Sequence, residues 1–61
     1  MSELTQQRIN FIELLHETFL MRKGHGAYAF ISTSEAVLLF NNYLETSEPA
    51  EQFINQFVRS F

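Results

Sequence analysis

The stretch Ile9–Met21, Ile-Asn-Phe-Ile-Glu-Leu-Leu-His-Glu-Thr-Phe-Leu-Met, carries more apolar side chains than one buried side of a helix requires. At about 100° per residue, Leu4, Phe11, Ile12, Leu15 and Phe19 form one continuous stripe, with Leu14 and Met21 on one flank and Ile9 and Leu20 on the other. Only Gln6, Asn10, Glu13 and Glu17, spaced by four, three and four, make a polar strip. A surface helix usually shows an apolar arc of roughly 100°. This helix is therefore expected to pack against more than one neighbour.

A chain of 61 residues offers few neighbours. It is expected to be a single domain spanning 1–61, and a domain of this size buries only about 60% of its unfolded surface, so an added staple is commonly needed. Cysteine is absent, which removes disulfides and thiolate metal sites. Oligomerisation remains as the staple. A hydrophobic content of 46%, with seven Phe, is far above that of a disordered chain and predicts a packed core.

Local signals predict a mainly α fold, a bundle of three amphipathic helices over about 5–23, 33–45 and 49–60. Ser2 or Thr5 can cap the first helix, and Arg22, Lys23 and Gly24 suit its end, because cations complement the negative dipole end and glycine takes the left-handed conformation freely. Ser32-Thr-Ser-Glu35 has the form of a capping box and opens the second helix. Its buried stripe is predicted as Ala36, Val37, Leu39, Phe40, Tyr43 and Leu44, which leaves Leu38 outside among Asn41, Asn42 and Glu45. Glu48-Pro49 separates the second helix from the third, in which Ala50, Phe53, Ile54, Phe57, Val58 and Phe61 line one face.

Between the first two helices, Ala27-Tyr-Ala-Phe-Ile31 reads either as a short strand or as a loop or helical turn. As a strand it would be the only one in the chain, and would need the same strand of a second copy to pair its backbone groups. A homodimer is expected on these grounds. Its interface is assigned to Ile9, Ile12, His16 and Leu20 on the first helix together with Tyr28 and Phe30.

The chemistry-bearing residues are few. Glu13-Leu-Leu-His16 matches the Glu-x-x-His pattern of di-iron carboxylate bundles, but Glu13 falls in the solvent strip and no second copy of the motif exists in the chain. No metal or cofactor is expected. His25 between Gly24 and Gly26 reads as an exposed loop residue. No Cys, no Asp and no serine in a glycine-framed elbow are present, and two glycines cannot build a phosphate-cradling loop, so the chain is read as non-enzymatic.

The second and third helices around a short turn also suggest a helix-turn-helix, with Gln52, Asn55, Gln56 and Arg59 facing DNA bases. A formal charge of −3 opposes that alternative, as do Glu48 and Glu51 at the end that would enter the groove. The expected partner is instead another protein, met through Leu38 and two charge clusters: Glu45, Glu48 and Glu51 near the second turn, and Arg22 and Lys23 near the first. On class alone, a small acidic protein without catalytic residues suggests a regulator or inhibitor of the kind that phages and mobile elements carry. Residues 1–8 lack a basic segment leading into an apolar run, and no stretch reaches the roughly 18 apolar residues of a membrane span, so a cytoplasmic location is expected.

Overall fold

Helix propensity runs unbroken from Glu3 to the first glycine, and the chain is a helix over that whole interval. The computed structural model describes residues 3–61. Helix α1 spans Glu3–Lys23, 21 residues. At 1.5 Å per residue it is about 32 Å long, and the longest dimension of the molecule is also 32 Å. A cap at Ser2 lies outside the described residues. Thr5 lies inside α1, two residues past its start, and so is not the cap. Gly24 stops the helix with φ +81°, and its N–H donates to the Leu20 carbonyl at 3.0 Å.

Residues 27–31 do not form a strand, and no strand occurs among the described residues. Ala27–Ala29 is a 3₁₀ turn. The N–H groups of Ala29, Phe30 and Ile31 are satisfied locally, on the carbonyls of Gly26, Ala27 and Ala27 at 3.0, 2.9 and 3.0 Å. The unpaired-edge problem that would have called for a second copy therefore does not arise. The turn also redistributes the side chains. In a 3₁₀ helix residues i and i+3 eclipse, so Ala27 and Phe30 turn inward together, whereas an extended chain would have placed Tyr28 and Phe30 on one side. Ala27 is buried, Phe30 is half-buried and Tyr28 is exposed.

Helix α2 spans Thr33–Leu44 and starts with the complete capping box. Ser32 Oγ accepts from the Glu35 N–H at 3.1 Å, and the Ser32 N–H donates to Glu35 Oε1 at 3.3 Å. The helix closes on Thr46, whose N–H and hydroxyl both donate to the Tyr43 carbonyl, at 3.0 and 2.9 Å. Pro49 is the N-cap of α3, Ala50–Arg59, in extended geometry one residue before the helix.

Helix α1 packs against the 3₁₀ turn, α2 and α3, and α2 meets α3 through Tyr43 and Phe53, whose ring centres are 5.6 Å apart. The central stripe of the apolar arc, Phe11, Ile12, Leu14, Leu15 and Phe19, is thus used inside one chain, while Leu4, Ile9, Leu20 and Met21 stay exposed. Two aromatic tiers hold the bundle. In one, Phe11 packs on Phe40, Tyr43 and Phe53 at ring-centre distances of 5.4, 5.1 and 6.2 Å. In the other, Phe19 stacks on Phe30 at 5.0 Å and meets Phe57 and Phe61 edge-on at 6.1 and 5.4 Å. Phe11 and Phe19 are eight residues apart, roughly 12 Å along the helix. Leu15, Ile54 and Val58, all with no exposed surface, belong to the same core.

Three apolar residues assigned to buried stripes stand outside the core: Leu4, Leu44 and Phe61 are exposed. Phe61 still lays one side of its ring on Phe19, Phe30 and Phe57. The chain's accessible surface is 4247 Å² for 7.2 kDa. A folded monomer of that mass is expected to expose about 4,100 Å². The single chain thus exposes about the surface expected of a folded chain of its mass.

Candidate functional site: a cleft between α1 and the α2–α3 turn

The Thr46 bonds to Tyr43 end α2 tightly, and Pro49 caps α3 three residues later, so the connection stands off α1. The space beneath it is an open cleft of about 400 Å³, lined by Gln7, Asn10, Phe11 and Leu14 from α1, Tyr43, Leu44 and Thr46 from α2 and its end, and Ala50 from α3. Its floor is apolar, made by Phe11, Leu14, Tyr43, Leu44 and Ala50. Its rim carries two amides and a hydroxyl. Asn10 Oδ1 accepts from Gln6 Nε2 at 3.1 Å. Leu44 stays 44% exposed at the edge of the cleft. The sequence pattern missed this site because Leu44 shares its helical face with the core-forming Tyr43 and Phe40.

No charged residue lines the cleft; Glu3, Glu17, Glu45 and Glu48 are near its lining residues in the sequence. Along α1, Glu3, Gln7, Asn10, Leu14, Glu17 and Met21 follow one another at spacings of four, three, four, three and four, which keeps them within an arc of about 80°. Glu3 and Glu17 therefore lie on the row of the cleft residues, one beyond each end. Glu45 precedes Thr46, and Glu48 sits midway between Thr46 and Ala50. The Oε2 atom of Glu48 is shielded from solvent and has no hydrogen-bond partner among the described residues. Glu51 lies further round, on the outer side of α3.

The other residues singled out from the sequence fall elsewhere. Leu38 is 62% exposed on the far side of α2, as its position in the pattern implies. Arg22 and Lys23 are engaged with α3 and its end: Arg22 Nε donates to Asn55 Oδ1 at 3.0 Å, and Lys23 Nζ donates to the Phe61 carbonyl. These two cations thus pin the end of α1 against α3. Among the residues assigned to a dimer interface, Ile9 and Leu20 are 38% and 50% exposed and Tyr28 is exposed, whereas Ile12 and Phe30 pack against the core. His16 lies over Gly26 and has the 3₁₀ segment as its neighbour.

The outer face of α3 forms a more open, mainly polar hollow with Arg22, lined by Gln52, Asn55, Gln56 and Arg59 together with Pro49 and Glu51. Reading an adenine requires an asparagine carbonyl to accept and its amide to donate. Asn55 already accepts from Arg22 through that carbonyl, and Glu51 stands within the same hollow. No group of three or more His, Cys, Asp or Glu is placed to hold a metal ion among the described residues. No helix among them is long and apolar enough to cross a membrane.

No protein-family model matches the chain, and no significant match is found among curated proteins or solved structures.

Proposed function

We propose that this chain is a non-enzymatic protein-binding module that acts as a regulator or inhibitor by seating a partner in the cleft between α1 and the α2–α3 turn. The observation that carries this reading is the cleft whose apolar lining comes from Phe11, Leu14, Tyr43, Leu44 and Ala50, with Leu44 44% exposed at its edge. An apolar hollow with a few outward polar groups at its rim is the usual form of a docking pocket, in which a buried anchor supplies most of the binding energy. The test is affinity capture with the unaltered chain and with Leu44→Asp, after circular dichroism has verified that both are folded. A partner bound by the first and lost by the second supports the reading. A partner bound equally by both places docking elsewhere and removes the cleft from the proposal.

A homodimer is a second reading, favoured by the exposure of Ile9 and Leu20 on one flank of α1. With residues 27–31 closed on themselves and the central stripe of α1 covered internally, this flank is its remaining support.

A further inference from the structure

We infer that the exposed flank of α1 is covered by the same flank of a second copy, laid antiparallel across a two-fold axis that passes between residues 14 and 15. The inference rests on the homodimer reading above and adds the orientation and register of the pair. Ile9, Glu13, His16 and Leu20 follow one another at spacings of four, three and four, which holds them within an arc of about 60°. All four are exposed. Their arc lies about 130° round the helix from the buried stripe of Phe11, Leu15 and Phe19.

The residue types along this row select the orientation. Positions 9 and 20 are equally distant from its midpoint, and so are 13 and 16. An antiparallel copy centred there sets Ile9 against the partner's Leu20 and Glu13 against the partner's His16, and the symmetry makes each contact twice. Apolar meets apolar at both ends, and at the centre a carboxylate meets an imidazole that can donate to it. A parallel copy in register would instead set the two Glu13 carboxylates against each other, which is repulsive. Neither Glu13 nor His16 has a hydrogen bond or ion pair elsewhere among the described residues, so both are free for this pairing. The ring of His16 already rests on Gly26, which restricts its rotamers and lowers the cost of ordering it in an interface. Four residues a side are few beside the roughly 20–30 of a standard interface, so association is expected to be reversible and to grow across the micromolar range.

The experiment is disulfide trapping, for which the chain offers a clean background because it has no cysteine. In this register Ile9 stands beside the partner's Leu20, while the two copies of Ile9 lie about 16 Å apart along the helices. A disulfide spans Cα atoms only about 4.4–6.8 Å apart. Ile9→Cys and Leu20→Cys are prepared separately, checked by circular dichroism, and oxidised in air alone and as an equal mixture. The mixture is expected to give the mixed disulfide at least about tenfold over the disulfide of either variant with itself. A second pair of variants reads the centre of the seam without cysteine. His16→Glu sets a carboxylate against the partner's Glu13 and is expected to weaken association at least about fivefold, and an equal amount of Glu13→Lys should restore it by pairing opposite charges. A disulfide of Ile9→Cys with itself, the product of a parallel pair, overturns the inference. So does a failure of Glu13→Lys to restore association with folded His16→Glu. Sedimentation of the unaltered chain at 7.2 kDa at every concentration overturns the inference and removes the homodimer reading with it. Dimers that form with concentration but give no mixed disulfide overturn the register alone and leave the homodimer reading standing.

Discussion

The imidazole of His16 lies over the Cα of Gly26, so closely that a methyl group on Gly26 would overlap three ring atoms. Gly26 has φ −68° and ψ 169°, a conformation open to any residue. Glycine is required at this position for space and not for backbone freedom. The contact brings the chain back against α1 just after Gly24 has turned it, and so sets where Ala27 and Phe30 enter the core.

The sign of a substitution at Gly26 should depend on His16. Gly26→Ala alone is expected to destabilise by about 1 kcal/mol, since His16 is exposed and can swing aside at the loss of its packing. In a His16→Ala background the clash is gone, and the same substitution should stabilise by about 0.4–1 kcal/mol by restricting the unfolded chain. Urea denaturation of the four proteins of this cycle measures the coupling. Additive effects would show that the ring does not rest on Gly26 in solution.

Gly24 presents the opposite case. Nothing lies within 4 Å of where its Cβ would be, but its φ is +81°. Gly24→Ala should therefore cost about 1 kcal/mol through the backbone alone, and no substitution at a neighbouring side chain should rescue it. Thermal melts of Gly24→Ala with and without His16→Ala would separate this origin from that at Gly26.

Ser32→Ala removes the acceptor for the Glu35 N–H and is expected to cost about 1 kcal/mol, within a range of roughly 0.5–2. Glu35→Ala removes the longer, 3.3 Å reciprocal bond and should cost less. The double variant should lose less than the sum, because each bond helps to orient the residue that makes the other. Denaturant midpoints with unchanged slopes test this ordering.

Leu20→Glu distinguishes monomer from dimer. With Leu20 half exposed in a single chain, the substitution should be nearly silent, within about 0.5 kcal/mol. If Leu20 is covered by a second copy, it buries an unpaired charge, and the protein should dissociate or unfold. Sedimentation at micromolar concentration reads the mass directly. A melting temperature that rises with protein concentration would favour the dimer through mass action.

The elements most legible from the residues were those set by neighbours in the chain. Gly24 ends α1 because its own φ is positive, the Ser32–Glu35 box starts α2 through two bonds spanning three residues, and Pro49 caps α3 by its fixed φ. The inward face of α3 was equally plain, since Ile54 and Val58 sit at the centre of a narrow stripe and are fully buried. Leu38, opposite the core stripe of α2, could be assigned to the surface for the same reason.

Other outcomes waited on the path of the helices through space. The breadth of the apolar arc on α1 stated that it had several neighbours, but whether those came from one chain or two depended on how α2, α3 and the 3₁₀ turn wrap it. Residues 27–31 turned helical because local carbonyls satisfied their N–H groups while Phe30 found Phe19 to stack on. Leu44 lies on the same side of α2 as Tyr43, and only the standoff of the α2–α3 turn left it at the edge of a cleft. The amino-acid order thus determined where helices start, stop and turn their strongest faces, since those signals act over three or four residues. The tertiary structure decided which apolar residues are covered, because burial depends on atoms contributed by elements tens of residues away.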